Sequence, residues 1–280
     1  MENIKKKEKL TDTIAILSGP VVEGYRYKEK KIIYDYVIPE HYRKRRNKKI
    51  VVVDEASRLR KIESRKKGMR RARTKFRRLV SANAGRWKKP NGEFYPPIFI
   101  TLTFSENIQD TKTANAMFSK FIKRLTYFIG VEKKTFLKYV VITEFQDRGA
   151  IHYHVIFFNL KFVEFHIFGE IWNQGFVYMN KIDGITNVGA YVCKYMCKEF
   201  EDERMDGKKR YFSSRGLKKP IVIKDQEEAR RILAMIPNES MTYQSEFGGY
   251  MGKVAYTQWQ VENVARLEDI ISEVEEFPSL

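Results

Sequence analysis

Between residues 98 and 200 the hydrophobic period switches repeatedly between two and about 3.6 residues, and that succession restricts the fold more than any other feature. Ile98-Phe99-Ile100-Thr101-Leu102-Thr103-Phe104 is β-branched and aromatic, the composition of a strand. Residues 111–129 carry Met117, Phe118, Phe121, Ile122 and Leu125 as one apolar stripe at helical spacing. Strands are predicted over 138–145 and from Ile151 to Phe158, with Arg148-Gly149 marking the turn between them. A helix over 162–173, a short strand over 175–181 and a helix over 186–200 follow. The order β-α-β-β-α-β-α describes an α+β fold: an antiparallel sheet with helices packed on it.

The flanks are less regular. Ile32-Ile33 and Val37-Ile38 suggest strands or a hairpin within residues 1–40. Residues 57–80 read as a helix, with Leu59, Ile62, Met69, Phe76 and Leu79 among arginines and Ser57 as its cap. Asn83, Gly85, Pro90, Asn91, Gly92, Pro96 and Pro97 then break the chain, and the main domain boundary is expected there. A helix near 225–235 and two strands near 241–258 complete the pattern. This gives a basic N-terminal extension over 1–90, a main domain over 91–260 and an acidic tail over 261–280, where six acids meet one base.

The formal net charge is +18, and it is concentrated. Residues 41–78 hold 18 Lys and Arg against Asp54, Glu55 and Glu63, a local excess of +15. Such a block repels itself unless a polyanion or solvent surrounds it, so nucleic acid is the leading partner and a merely solvated arm the alternative. Arg43, Arg45, Arg46, Arg70, Arg71, Arg73, Lys75, Arg77 and Arg78 are the candidate DNA contacts. No apolar run approaches the roughly 20 residues that span a membrane. The opening residues lack a secretory pattern, so a cytoplasmic setting is the expectation. Cys193 and Cys197, four apart, are read as core packing rather than a disulfide.

Two clusters carry chemistry. His152-Tyr153-His154 lies inside a predicted strand, where side chains alternate, so both imidazoles leave the same face. Glu144 ends the preceding strand, and an antiparallel hairpin of this length can bring it beside His152. Two histidines and a carboxylate, with positions left open for substrate oxygens, form a divalent metal site. The plainer alternative is two histidines bonded to backbone or exposed. His41 and His166 have no such context and are read as surface residues. In Tyr191-Val192-Cys193-Lys194-Tyr195-Met196-Cys197-Lys198, a helix aligns Tyr191, Lys194, Tyr195 and Lys198 in one polar stripe. A tyrosine is a possible covalent nucleophile, and a nearby ammonium favours its phenolate. The alternative is an amphipathic helix whose tyrosines cover the edge of the core.

Together these residues resemble the HUH endonuclease superfamily, above all the rolling-circle replication initiators of small single-stranded DNA phages (microviruses) and related plasmids. Phe99 to Phe104 resembles the family's first strand motif, His152-Tyr153-His154 its metal motif, and Tyr191 to Lys198 its two-tyrosine nucleophile motif. Arg210 to Gly216 resembles a segment recurring in the phage initiators, and the likeness covers roughly residues 70–220. It implies a ferredoxin-like or RRM-like antiparallel sheet. It implies that Glu144, His152 and His154 hold Mg²⁺ or Mn²⁺, and that Tyr191 attacks origin DNA to give a 5′-phosphotyrosyl intermediate and a free 3′-OH. Tyr195 would take the next transfer, with Lys194 and Lys198 positioning phosphate or tuning the tyrosines. It further implies single-stranded origin DNA as substrate, a host polymerase and a host helicase as partners, and the host cytoplasm as the setting if a phage encodes the chain. Phe104, Trp87 and Tyr211 are candidates to stack on bases, with core packing the alternative, favoured for Phe104. A non-catalytic RRM-like binding protein, or an HUH transposase or relaxase, are the competing readings.

Overall fold

A computed structural model of the protein describes residues 7–35, 55–130, 136–182, 187–196, 202–205, 208–249 and 252–261. In chain order the elements are β1 (Lys7–Ser18), β2 (Val21–Asp35), α1 (Glu55–Ser81), β3 (Ile98–Thr103), α2 (Thr111–Phe128), β4 (Tyr139–Phe145) and β5 (Ile151–Phe157). They continue with α3 (Phe165–Trp172), β6 (Val177–Lys181), α4 (Val188–Met196), β7 (Tyr211–Ser213), β8 (Ile221–Ile223), α5 (Gln226–Ala234), β9 (Met241–Gly249) and β10 (Gly252–Gln260). Two compact units divide the chain: residues 68–220, and residues 1–67 together with 221–280. This division differs from the one drawn at residues 90 and 260. The Gly/Pro-rich break lies inside the first-named unit, where Asn83 is buried, donates to Leu79 O and Lys218 O, and accepts from Lys218 N.

The unit of residues 68–220 carries a five-stranded sheet in the order β6-β3-β5-β4-β7, antiparallel at every pairing. Two β-α-β passes, β3-α2-β4 and β5-α3-β6, interleave so that β3 and β5 are central. That is the ferredoxin-like arrangement, an α+β fold consistent with the HUH endonuclease type, extended at one edge by β7. Each helix begins and ends for a local reason. Asp110 caps α2 by accepting from the Thr113 amide at 2.7 Å. Asn173 closes α3 with a left-handed backbone, φ 47°, its amide bonded to Gly169 O.

Alternation splits this sheet into two faces. Ile100, Leu102, Val141, Ile151, Tyr153, Val155 and Phe157 pack against the stripe Ala114, Phe118, Phe121, Ile122 and Leu125 of α2 and against Phe168 and Trp172 of α3. Val140, Ile142 and Ile156 leave the opposite face and pack against Phe76 and Val80 of α1 and Val188 and Val192 of α4. Gly189 lets α4 approach α1 closely: a Cβ there would sit 2.5 Å from Arg77 O and 2.2 Å from Ser81 Oγ.

The other unit is a second antiparallel sheet, in the order β8-β1-β2-β10-β9. Its long first hairpin turns at Gly19, φ 59°. Asp225 caps α5, whose Ala229, Ile232 and Leu233 pack with Val22 and Trp259. Among the described residues no helix is long and apolar enough to cross a membrane.

Candidate functional site

The hairpin β4–β5 sets the site. Its turn is closed by Gln146 N to Ala150 O and Gly149 N to Gln146 O, both 2.8 Å, with Gly149 at φ 86°. A non-glycine residue resists that backbone. The resulting register pairs Glu144 directly with His152 and places His154 one rung-pair further, opposite Ile142. All three side chains therefore leave the face that also carries Ile142 and Ile156, the face covered further along by α1 and α4. They are part-buried: side-chain exposure is 25% for Glu144, 13% for His152 and 17% for His154.

The Glu144 carboxylate lies between the two imidazoles. One oxygen accepts from His154 Nε2, and the same oxygen is 3.8 Å from His152 Nδ1. The His154 ring is stacked on Phe99, 5.7 Å between centroids and 9° between planes, and its Nδ1 meets the Thr101 hydroxyl at 3.1 Å. A hydroxyl can donate or accept, so Thr101 supports the ring whichever nitrogen carries the proton. The hydrogen bond from His154 holds the Glu144 carboxyl below its ordinary value, against burial, which pushes it up; the charges of His154 and His152 reinforce the lowering. Burial pushes His152 below the ordinary imidazole value, against the attraction of Glu144, and the charges of His154 and Arg148 add to the lowering. Both directions favour an ionised carboxylate and a neutral imidazole, the protonation states that metal ligation requires.

Among the described residues no three His, Cys, Asp or Glu side chains already surround a point where an ion could sit. The reason is local: Glu144 and His154 bond to each other. The donor set itself fits a divalent cation. His152 Nε2 is buried and has no hydrogen-bond partner, a costly state for a polar nitrogen that a ligand would relieve. A cleft of about 710 Å³ opens beside these groups, lined by Glu144, His152, Arg148, Asp202 and Arg204 among others. Arg148 is tied down to Phe104 O at 2.6 Å and to Gln146 Oε1 at 3.0 Å. Arg204 is clamped by Asp202 at 2.6 Å, by Phe145 O at 3.1 Å and over the Phe145 ring at 4.7 Å. A phosphate entering the cleft meets two immobilised guanidinium groups. Neither arginine was singled out from the sequence. Residues 202–205 read there as a mixed-charge connector, and only the position of Arg148 in the turn before the histidine strand hinted at a role.

Helix α4 presents three stripes. Val188 and Val192 face the sheet. Gly189 and Cys193 face α1, the Cys193 thiol donating to Arg73 O at 3.8 Å. Tyr191 and Lys194 are exposed. Tyr195 stands one turn after Tyr191 in the helix, and Lys198 lies outside the described residues. Of the basic candidates, Arg70, Arg71 and Lys75 are exposed on α1, whereas Arg73, Arg77 and Arg78 are half-buried; Arg43, Arg45 and Arg46 lie outside the described residues. His166 is exposed beside Glu164, at 3.4 Å, as a surface residue would be, and His41 is outside the described residues.

The aromatic residues offered for base stacking are packed instead. Phe104 is 2% exposed and edge-on to Trp172 and Tyr153. Tyr211 is edge-on to Phe76, and Trp87 lies under the Lys138 ammonium at 5.4 Å. The exposed aromatics next to the histidines in the sheet are Phe176 and Tyr178.

With this geometry in view, the comparison with known families is specific about place. Residues 97–200 match the replication-associated protein (ORF2) family. The matched span opens one residue before β3 and ends beyond α4, so it contains Glu144, His152, His154, Tyr191 and Tyr195 and none of the second sheet. It supports a replication initiator of this kind, a DNA-binding role included. No curated protein and no solved structure matches the chain.

Proposed function

We propose that the protein starts rolling-circle replication by nicking single-stranded origin DNA through a tyrosine and rejoining the strand. The observation that carries this reading is the pairing of Glu144 with His152, next to His154, within the segment that matches replication-associated proteins and on the sheet face that α4 packs against. The HUH and microvirus-type assignment from the motifs belongs to the same proposal.

Glu144, His152 and His154 would hold Mg²⁺ or Mn²⁺, hard ions suited to a carboxylate and to phosphate oxygens. When bound, the cation supplies Lewis-acid polarisation of the scissile phosphate. Thr101 and Phe99 fix the His154 ring. Arg148 and Arg204 attract and orient phosphate in the cleft. The Tyr191 hydroxyl gives up its proton and its oxygen bonds to phosphorus, while the bond from phosphorus to the 3′ oxygen breaks. That oxygen takes up a proton and becomes the free 3′-OH, which a host polymerase extends. The phosphotyrosyl ester retains the energy of the broken phosphodiester, so Tyr195 can take the next transfer and the displaced strand can be closed without a nucleotide cofactor. Lys194 and Lys198 position phosphate, and the basic segment 41–78 grips the backbone without reading sequence. No Gly-x-x-x-x-Gly-Lys-Ser/Thr phosphate loop occurs in the chain, so duplex unwinding falls to a helicase of the host, in its cytoplasm.

The test is a denaturing gel of end-labelled single-stranded origin DNA incubated with the full chain and Mn²⁺, with and without EDTA. A protein-linked band that needs metal, persists in one of Tyr191→Phe or Tyr195→Phe and is lost in the double variant supports the reading. Tight, salt-sensitive binding to a verified origin with no linked band would overturn it in favour of a non-catalytic binding protein.

A further inference from the structure

The geometry points to a base-stacking platform for single-stranded DNA, formed by Phe176 and Tyr178 beside the histidine site; it deepens the nicking proposal and rests on that reading for its occupant. The two rings are 65% and 51% exposed, although the residues that alternate with them, Val177 and Met179, pack into the core. Alternation therefore sends both rings out on the face that carries the histidines. Tyr178, Thr101 and His154 form one continuous rung across β6, β3 and β5. Phe176 is joined to Thr103, which pairs with His152 in the next rung on that face.

This placement is rigid. Thr103 N donates to Phe176 O, Phe176 N donates to Thr103 Oγ1 and Thr103 Oγ1 donates to Phe176 O, each at 2.9 Å. Immediately before, Gly175 passes so close that a Cβ would lie 2.5 Å from Thr103 O. Only the short side chains of Thr101 and Thr103 stand between the rings and the imidazoles, a distance of two strand spacings, roughly 10 Å. A chain whose phosphate occupies the cleft at Glu144 and Arg148 thus has a flat aromatic surface within a few nucleotides. Two adjacent exposed rings on a fixed edge strand mark a contact surface more than scattered apolar residues do. Unpaired bases suit them: every base has a π-face, so stacking is tolerant of sequence, while the +18 charge of the chain draws in the phosphates.

The experiment measures fluorescence anisotropy of labelled oligothymidylate, and of a duplex control, with the full-length protein in EDTA. Phe176→Ala/Tyr178→Ala is compared with Phe176→Trp/Tyr178→Trp. We expect the alanine pair to weaken single-strand binding by roughly 5- to 100-fold per ring, with the slope of log affinity against log salt unchanged. Duplex binding should stay at its original level, and the tryptophan pair should bind single strands as the native protein does. Native single-strand affinity in the alanine pair, or an equal fall for duplex, overturns the platform. Because EDTA removes cleavage from this readout, the two proposals fail separately. Loss of binding in the alanine pair without any DNA-linked band in the native protein leaves the platform and sinks nicking; native binding in the alanine pair alongside a linked band does the reverse.

Discussion

Tyr153 and His154 are neighbours in sequence and occupy opposite conditions. Tyr153 has no exposed surface; its ring meets Phe104, Phe118 and Phe212 edge-on and its hydroxyl donates to Asn115 at 2.7 Å. Burial raises its pKa, so it stays a neutral hydrogen-bond donor. His154 opens onto the other face, held by Phe99, Thr101 and Glu144. The same strand therefore contributes stability on one side, through aromatic packing against α2 and α3, and ionisable groups on the other. That other face is covered by α1 and α4 at one end, and its opposite end borders the cleft. The contrast teaches that the closed face can be rigid because it has no chemistry to perform, while the charged face is supported by short, specific contacts rather than by bulk packing.

Substitutions on the two faces should separate these roles, and the largest effect belongs to the histidines. His152→Ala with His154→Ala is expected to lower DNA cleavage by at least about 10³-fold, the loss of several kcal/mol of charge stabilisation, with little change in melting temperature. A gel time course and a thermal melt read the two quantities; parallel loss of fold and cleavage would erase the distinction between faces. On the closed face, Phe118→Ala should cost about 3–5 kcal/mol in urea unfolding, because the ring is 2% exposed and touches Tyr139, Tyr153 and Phe212. A cost below about 1 kcal/mol would mean that this face is not the stabilising one.

Gly189→Ala sharpens the boundary between the two conditions. Its Cβ would strike the α1 backbone at Arg77 O, so a loss of about 1–3 kcal/mol is expected, measured by the same unfolding curve. Thr101→Val should leave stability nearly intact and weaken Mn²⁺ binding by about 10- to 100-fold in calorimetry, because it removes the group that orients His154. An unchanged affinity would rule out that support. The smallest effect is on pH dependence in EDTA. The His152 pKa is lowered on folding, so between that value and 6.5 the unfolded chain binds more protons and stability falls as pH drops below 6.5. The Glu144 pKa is lowered too, which adds a further loss below 4.5. His152→Gln should flatten the first of these slopes in a melting series; an unchanged slope would assign it elsewhere.

Much of the first unit was legible because its signals are local. The alternation of Ile98 to Phe104, the helical stripe from Met117 to Leu125 and the turn at Gly149 each lie within one element. From them the hairpin that joins Glu144 to His152 follows by counting. What escaped depends on partners distant in sequence. β7 and β8, three residues each, are too short to show alternation and exist only through pairing with β4 and β1. The second unit joins both flanks of the chain through β2 with β10 and β1 with β8, which no local pattern can announce. Asn83 looked like part of a linker because its type favours turns, yet its amide is spent on Leu79 and Lys218 inside the fold. Exposure was equally hidden: Phe104 and Phe176 are the same residue type, and only the third dimension shows that one is core and the other surface.

The central claim is that a tyrosine of α4 becomes covalently joined to DNA beside the histidine face. The most direct measurement is tandem mass spectrometry of the protein-linked product after protease and nuclease digestion. The account predicts a nucleotide phosphoester on the peptide containing Tyr191 and Tyr195, fragmenting to one of those two side chains. A nucleotide carried on any other residue, or cleavage of the origin with no residue modified, would contradict it.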